Sequence, residues 1–206
     1  MLPAAIQPML AQRAPEPFDS EDYLFEIKWD GIRCLAFIEA GRLRLQSRDL
    51  MAISAQFPEL ASLAQLPSGT VLDGELVVLK DGKPCFAEIQ KRTQLRTSHR
   101  IGMFSHALPV SYLVFDLLYW EGESLVAAPL SARREALNSL TARLPESGVL
   151  VSGAVLRYGR ACFETVAKLG LEGLMAKRLD SPYVVGRRSR HWLKIKPLVT
   201  SRGLRH

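Results

Sequence analysis

Short segments rich in β-branched and aromatic residues, separated by turns that contain glycine, run through most of the 206-residue chain. One hairpin is predicted over residues 32–48, with its turn at 39–41, and a second over residues 70–86, with its turn at 81–82. Residues 110–120 form a continuous apolar run that is typical of a buried strand. Because few helical segments interrupt these strands, the pattern predicts an α+β fold built on antiparallel sheets rather than a doubly wound parallel sheet.

The two ends of the chain differ in character. Residues 1–20 contain several prolines and are expected to form an extended arm, so the folded domain is expected to span residues 21–206. Ser131 is expected to cap a helix, and Gly170 to end another one. The other segments predicted from apolar spacing are helical residues 86–96, 131–144 and 162–170, and strands at 149–155, 171–179 and 191–197.

The composition is that of an ordinary folded protein, with 48% hydrophobic and 23% charged residues. No apolar run approaches the roughly 18 residues of a membrane-spanning helix, and the N-terminus lacks a secretory signal pattern. Cys34, Cys85 and Cys162 form no C-x-x-C pair and indicate free thiols in a reducing compartment, so a cytoplasmic protein is expected. The formal net charge of +6 fits a polyanionic partner, although a solvated basic surface would give the same value.

Two motifs near the start of the chain place charged residues at alternate positions. In the first, Lys28 and Asp30 precede Gly31, and Arg33 follows two residues later. In the second, Asp73 and Glu75 flank a glycine. In an extended segment, residues two apart share a face, so each motif can direct its charges into one cleft. Taken alone, the first motif is more typical of a solvated charged turn between strands, and the second is also typical of an ordinary strand start with polar outer positions.

Three further motifs lie in the second half of the chain. Asp116 follows Phe115 inside the apolar run, and a buried carboxylate needs a cationic partner or a metal. Glu172 and Lys177 bracket a predicted strand that contains Met175, which is more often core filler than a ligand contact. Lys194 and Lys196 alternate with apolar residues in the last predicted strand, which suits phosphate binding as well as an ordinary amphipathic strand.

The order and separation of these motifs are more specific than any one of them. No P-loop or G-x-G-x-x-G motif is present. The set instead resembles the covalent nucleotidyltransferases, which comprise DNA ligases, RNA ligases and mRNA capping enzymes. Within them it is most similar to ATP-dependent DNA ligases of bacteria, and in particular to the ligase module of multifunctional end-joining enzymes. The matching motifs are Lys28 to Arg33, Ser47-Arg48, Asp73 to Glu75, Phe115-Asp116, Glu172 to Lys177 and Lys194 to Pro197.

The resemblance implies an adenylation domain with antiparallel sheets, flanked by helices, around a central nucleotide cleft related to the ATP-grasp fold. It also implies that Lys28 attacks the α-phosphorus of ATP, and that Lys194 and Lys196 assist by their positive charge. A free lysine has a pKa of about 10.4, so we expect the site to lower the pKa of Lys28. The implied nucleotide contacts are Glu26 to the adenine amino group, Phe115 and Met175 to the faces of the ring, Arg48 and Glu75 to the ribose, and Arg33 to the sugar–phosphate region.

The same resemblance implies a metal ion and a nucleic-acid partner. Mg²⁺ or Mn²⁺ would be held by Glu172, together with Asp30 or Asp73. Nicked double-stranded DNA would lie over a basic surface, for which the candidates are Arg187, Arg188, Arg190 and Arg202. A monomer acting at the bacterial nucleoid in DNA repair, with no membrane partner, is the expected setting.

One departure from the family pattern leaves other functions open. Ligases of this type continue into an OB-fold domain, and only nine residues follow Pro197. An OB-fold domain or another repair protein acting in trans is therefore a candidate partner. The alternatives are an RNA ligase, a capping-type nucleotidyltransferase, or a catalytically idle module that binds ATP or DNA.

Overall fold

The computed structural model of the chain describes residues 2–145 and 148–197, which form two β-sheets packed face to face. Strands and α-helices are numbered here in chain order. The first sheet has the order β1 (Leu10–Arg13), β13 (Arg188–Ile195), β12 (Leu174–Arg178), β2 (Ser20–Ile27), β11 (Ala154–Arg157). The second has the order β10 (Val149–Val151), β8 (Ser111–Trp120), β5 (Thr70–Val77), β3 (Ile32–Glu39), β4 (Arg42–Ser47), with β9 (Glu123–Ser124) also paired to β8.

Within the described residues, most neighbouring strands are antiparallel, as expected. Two edge strands are parallel to their neighbours, namely β1 to β13 and β10 to β8. The helices are short and cover the outer faces of the sheets. They are α1 (Phe86–Thr93), α2 (Ser98–Ala107), α3 (Leu130–Ser139) and α4 (Gly159–Lys168), with 3₁₀ helices at Ser54–Gln56, Pro58–Gln65 and Thr141–Arg143.

Three apolar clusters hold these layers together. The largest lies on the outer face of the second sheet, where the 3₁₀ helix Pro58–Gln65, α1 and α3 contribute Leu60, Ile89 and Leu137. A second cluster fills the space between the sheets and includes Phe115 and Trp192. In the third cluster, α4 packs against the outer face of the first sheet. Complete burial of a large apolar side chain contributes about 1.5–3 kcal/mol, so the middle cluster fixes the two sheets relative to each other.

The N-terminal segment is part of this assembly and not a separate arm. Leu2, Ile6 and Met9 are buried in the cluster between the sheets, and β1 is an edge strand of the first sheet. The buried amide of Gln46 binds both the N–H and the carbonyl of Ile6, at 3.2 and 2.7 Å. The boundary expected at residue 20 therefore does not divide two structural units.

The first predicted hairpin is confirmed, because β3 and β4 pair with a turn at Ala40 and Gly41. The second is wrong except at its tip, where β6 (Leu79–Lys80) pairs with β7 (Lys83–Pro84). Strand β5 is central in its sheet and pairs with β3 and β8 on its two sides, so it has no free edge for a returning strand.

Two other local predictions need correction. Helix α3 begins at Leu130 with no side-chain cap, because the amides of Leu130 and Ser131 donate to the backbone carbonyls of Ser181 and Leu179, at 2.9 Å each. Ser131 is therefore inside the helix. The strand predicted at 149–155 is two strands, β10 and β11, which lie in different sheets. The chain crosses between the sheets at Ser152, whose amide donates to Val114.

The buried carboxylate of Asp116 has a cationic partner. Arg133 of α3 donates to its two oxygens at 2.8 and 3.0 Å, and both side chains are fully buried. Arg133 also donates to the carbonyls of Ala128 and Ser181. This ion pair therefore links α3 to β8, the strand that carries Phe115. The role of Asp116 is structural.

We expect Asp116→Ala to lower the free energy of unfolding by about 3–5 kcal/mol, because it leaves the Arg133 charge buried without its partner. The double variant Asp116→Leu/Arg133→Leu should recover part of this loss, since it removes both charges. Glu21→Ala, which breaks an exposed pair with Arg157 at 3.6 Å, is the control and should change stability little. Urea denaturation measures all three; an Asp116→Ala variant as stable as wild type would contradict this account.

Candidate active site

A cleft of about 860 Å³, including its open mouth, lies where the two sheets face each other. Strand β2 and the residues after it form one wall, and side chains of β3, β5 and β8 form the opposite one. Its lining residues are Leu10, Ala11, Glu26, Ile27, Lys28, Trp29, Arg33, Arg48, Glu75, Phe115, Met175, Lys177, Arg188, Trp192 and Lys194.

Lys28 follows the end of β2, and its side chain meets a carboxylate from a distant segment. Its backbone amide donates to the carbonyl of Gly173 at 2.9 Å. Its Nζ lies 2.5 Å from Oε2 of Glu172, and Nζ of Lys196 lies 2.5 Å from Oε1 of the same carboxylate. Glu172 therefore bridges the two ammonium groups.

Two glycines permit this close approach of strands. A Cβ atom on Gly31 would lie 2.2 Å from the carbonyl oxygen of Leu76, so only glycine fits beside β5. Gly173 has a φ of 148°, and a Cβ there would lie 2.2 Å from the carbonyl oxygen of Ile195. The requirement at Gly31 is thus for space between β3 and β5. Together the two glycines bring Lys28 and Glu172 to one edge of the first sheet.

The charges at this edge perturb each other. Burial acts to raise the pKa of Glu172, but the hydrogen bonds from Lys196 and Lys28 outweigh it and lower that pKa. Burial and the negative charge of Glu172 raise the pKa of Asp30. Burial, and then the nearby charges of Arg188, Lys196 and Lys28, lower the pKa of Lys194. The two lysines predicted near Lys28 thus lie close enough to act on it electrostatically.

Two of the three carboxylates predicted to bind metal lie beside one cavity. Asp30 and Glu172 line a second cavity of about 530 Å³ together with Lys28, and Mg²⁺ is commonly held by one or two carboxylates plus substrate phosphates. Within the described residues, no group of three or more His, Cys, Asp or Glu side chains is arranged to hold a metal ion. A cation at this cavity would have to replace the contacts that Lys28 and Lys196 make with the two oxygens of Glu172.

The third carboxylate, Asp73, is a correction to the predicted metal site. It is fully buried, and Arg33 donates to its two oxygens from Nε at 2.5 Å and from Nη2 at 2.6 Å. The hydroxyl of Tyr183 donates to Oδ2 at 2.6 Å. With both oxygens occupied and no exposure to the cleft, Asp73 holds Arg33 and is not available to a cation.

Glu26 lies at the deep end of the cleft with one oxygen free. Its carboxylate forms a buried ion pair with Lys177, and Nη1 of Arg134 lies 3.7 Å from Oε2. Among the described residues, no group donates a hydrogen bond to Oε2. A buried acceptor without a donor is costly, and this oxygen is itself almost completely buried. Burial lowers the pKa of Lys177 despite the neighbouring Glu26.

The aromatic ring of Phe115 lies in the same part of the cleft, as does Met175. Phe115 packs edge-on against Trp192, with 6.0 Å between the ring centroids. Nζ of Lys177 lies 3.9 Å from the centroid of Phe115, and Cζ of Arg33 lies 4.6 Å from it. The structure thus places the two residues predicted to contact adenine in one pocket, beside the free oxygen of Glu26.

The predicted ribose contacts, Arg48 and Glu75, also line the cleft. Arg48 follows β4 and is exposed, whereas Glu75 projects from β5 into a poorly solvated position. Burial raises the pKa of Glu75 from 4.5 to about 7, against the opposing charges of Arg33 and Lys28. Near neutral pH, Glu75 therefore exists in both protonation states and can either accept or donate a hydrogen bond.

Arg187, Arg188 and Arg190 are exposed around the start of β13. Arg188 also donates to the carbonyl of Ala11 and lines the cleft. The basic residues therefore continue from the mouth of the cleft onto the surface. Arg202, the fourth arginine of this predicted group, lies outside the described residues.

Several residues of the cleft were not assigned by the sequence. Trp29 follows Lys28 and donates from Nε1 to Ser152 at 3.1 Å. Lys177 lies inside a motif and Trp192 inside a predicted strand. The sequence therefore located both residues, but it did not show that they contact Glu26 and Phe115. The N-terminal residues Leu10 and Ala11 form a wall because β1 pairs with β13, and no local pattern in the sequence shows that pairing.

The fold matches solved ligase structures. The mycobacterial DNA ligase D complexed with ATP and MES aligns with a TM-score of 0.77 and 33% identity, over 93% of this chain and 60% of that one. The ATP-dependent DNA ligase from bacteriophage T7 in complex with ATP aligns with a TM-score of 0.69 and 20% identity, over 93% and 69%, and supports the fold alone. The domain is thus of the class of adenylation domains of ATP-dependent DNA ligases.

Sequence comparisons identify the family. The model of the ATP dependent DNA ligase domain matches residues 8–196, and the chain belongs to this family. The SPbeta prophage-derived DNA ligase-like protein LigB of Bacillus subtilis is 36% identical over 191 residues, which cover 92% of this chain and 67% of that protein. LigD of Mycobacterium tuberculosis, a multifunctional non-homologous end joining DNA repair protein, is 35% identical over 195 residues. The chain covers only 24% of that protein.

Glu75 gives a test through the pH dependence of stability. Its folded pKa is raised from 4.5 to about 7, so its destabilising effect is absent below about pH 4.5, grows as the pH rises to about 7, and stays constant at higher pH. Glu75→Gln should therefore gain stability relative to wild type between pH 5 and pH 8, by at most about 3 kcal/mol. Urea denaturation at the two pH values measures this gain, and Glu164→Gln on the exposed face of α4 should show none. Parallel stability profiles of Glu75→Gln and wild type would contradict the assignment.

Proposed function

We propose that the chain is the catalytic adenylation domain of an ATP-dependent DNA ligase, with Lys28 as the nucleophile. The observation that carries the proposal is the convergence of Lys28, Glu172 and Lys196 beside a cleft whose deep end offers a free carboxylate oxygen and an aromatic ring. The carboxylate and the aromatic ring at one end match the heteroaromatic base of a nucleotide. The cationic groups at the other end match its polyanionic tail.

In the proposed first step, the amine of Lys28 attacks the α-phosphorus of ATP. Before attack, Nζ gives up one proton to solvent, because a protonated amine has no lone pair. The Nζ–P bond then forms, the bond to pyrophosphate breaks, pyrophosphate leaves with the electron pair, and the nitrogen releases a second proton to solvent. Nζ of Lys28 is engaged with Oε2 of Glu172, so Glu172 must first exchange Lys28 for another partner. Lys194 and Lys196 lie on the phosphate side and offset the charge that develops on the phosphate oxygens. A divalent cation such as Mg²⁺ or Mn²⁺ at Glu172 and Asp30 would supply further positive charge there.

The adenine end of the proposed complex follows from the same geometry. Oε2 of Glu26 would accept a hydrogen bond from the adenine amino group, with Phe115 and Met175 on the faces of the ring. Arg48 and Glu75 would contact the ribose, and Arg33 the sugar–phosphate region. Guanine carries a carbonyl where adenine has this amino group, and a carbonyl would face the Glu26 carboxylate without a donor. The site therefore favours ATP over GTP.

In the proposed later steps, AMP passes from Lys28 to the 5′-phosphate at a nick in double-stranded DNA. Attack by the 3′-hydroxyl then forms the phosphodiester bond and releases AMP. The exposed Arg187, Arg188 and Arg190 at the mouth of the cleft would contact the DNA backbone. An OB-fold domain, in the same protein or in trans, would complete the enclosure of the DNA. Action as a monomer at the bacterial nucleoid, in DNA repair, is the setting that we propose.

We expect the chain to become labelled when it is incubated with Mg²⁺ and ATP radiolabelled at the α-phosphate. Lys28→Ala should abolish the label, because no other amine occupies this position. Lys168→Ala, an exposed lysine on α4, is the control and should label as wild type does. Labelling by GTP in preference to ATP would instead support a capping-type enzyme, and the absence of label with either nucleotide would support an idle binding module.

DNA binding gives a separate test. Arg190→Ala should weaken binding to a nicked duplex and reduce the slope of log affinity against log salt by about 0.9, the contribution of one phosphate contact. The control is Arg143→Ala, an exposed arginine that lies over the Trp120 ring beside the outer cluster of the second sheet. Fluorescence anisotropy across a salt series measures both variants. Equal salt slopes for Arg190→Ala and wild type would contradict this surface, and tighter binding to nicked RNA would point to an RNA ligase.

A further inference from the structure

Tyr183 lies in the segment between β12 and β13, and no role follows for it from the motifs or from the proposed chemistry. It is 2% exposed, although it belongs to a loop. Its ring packs edge-on against Trp192 of the cleft, with centroids 5.6 Å apart. A buried tyrosine needs partners for its hydroxyl, and those of Tyr183 come from two other parts of the chain.

The hydroxyl of Tyr183 links the N-terminal segment to the second sheet. It donates to Oδ2 of Asp73 at 2.6 Å, and it accepts a hydrogen bond from the backbone amide of Met9 at 3.0 Å. Burial, and then the charge of Asp73, raise the pKa of Tyr183 well above its usual value. The hydroxyl therefore keeps its proton and remains a donor to Asp73 throughout the physiological pH range.

Asp73 in turn binds the guanidinium of Arg33 on the side away from the cleft. Nε and Nη2 of Arg33 donate to the two carboxylate oxygens, and Nη2 also lies 3.5 Å from the carbonyl oxygen of Met9. The side chain of Arg33 is 17% exposed, on the side that lines the cleft. These contacts use Nε and Nη2 and leave Nη1 for a ligand. The orientation of Asp73 therefore decides where the guanidinium meets a nucleotide.

We propose that Tyr183 is a positioning residue, which acts through Asp73 to hold the guanidinium of Arg33 against the sugar–phosphate part of the bound nucleotide. Oδ2 of Asp73 is shared between Tyr183 and Nη2 of Arg33. Without the hydroxyl, the carboxylate loses the contact that fixes its rotation about the Cβ–Cγ bond, and the amide of Met9 loses its acceptor. This inference rests on the proposed nucleotide site, and it adds a residue from outside every motif.

The test compares AMP with adenosine, which lacks the phosphate. Calorimetric titration of Tyr183→Phe should show AMP binding weakened by about tenfold, the effect of one displaced charge-assisted hydrogen bond, with adenosine binding unchanged. The matched control is Tyr112→Phe. Tyr112 is also fully buried in the second sheet, and its hydroxyl donates to the carbonyls of Cys34 and Leu72, at 2.9 and 3.2 Å. Loss of that hydroxyl should leave the binding of both ligands at wild-type strength.

A double-variant cycle separates positioning from general damage. The effect of Tyr183→Phe on AMP binding should disappear in an Arg33→Lys background, because the planar fork that Asp73 holds is absent there. If Tyr183→Phe does not fold, Asp73→Asn tests the same link and should also lose AMP binding selectively. Equal weakening of AMP and adenosine, or unchanged AMP binding, overturns the inference alone. Failure of the wild-type chain to bind either ligand overturns the proposed function together with it.

Discussion

The carboxylate of Glu172, placed between the ammonium groups of Lys28 and Lys196, is the interaction on which the site depends. The three side chains come from the end of β2, the segment before β12 and the end of β13, so they meet only when the first sheet is formed in register. Each Glu172 oxygen contacts one lysine at 2.5 Å, in a position that is only partly exposed. A cation that replaces a lysine at Glu172, or a phosphate that replaces Glu172 at a lysine, changes the charge around the Lys28 amine. The proposed chemistry therefore depends on the formation of the first sheet.

The space between the two sheets contains more charged groups than an ordinary core. Glu26 with Lys177, and Asp73 with Arg33, are paired there, and the fully buried Arg133 and Asp116 pair beside it. Desolvation of such groups costs several kcal/mol each, and pairing offsets that cost only when the geometry is good. Buried pairs of this kind contribute little net stability compared with apolar residues. They fix the position of specific side chains that line the cleft, such as Glu26 and Arg33.

The sequence predicted the parts of this arrangement that depend on local pattern. Alternating apolar residues located the strands of both sheets, and the first hairpin was correct because its two strands are adjacent in chain and in space. The second hairpin was wrong because its turn residues, Asp81 and Gly82, report only local geometry, whereas both edges of β5 are taken by distant strands. The motif residues predicted to contact the nucleotide do line one cleft, whereas Asp30 and Glu172 line a second cavity and Asp73 is buried against Arg33. The roles assigned to them remain predictions from family resemblance.

What the sequence could not provide was the partner of each buried charge. Asp73 was expected at a metal because two carboxylates stand close together in its motif, yet Arg33 and Tyr183, 40 and 110 residues away, use both of its oxygens.

The most direct test of the central claim is to locate the adenylated residue, by proteolysis and tandem mass spectrometry after incubation with ATP and Mg²⁺. The account predicts AMP joined through a phosphoramidate to the peptide that contains Lys28, and to that side chain alone. AMP on Lys194, on Lys196 or on any other residue would contradict it.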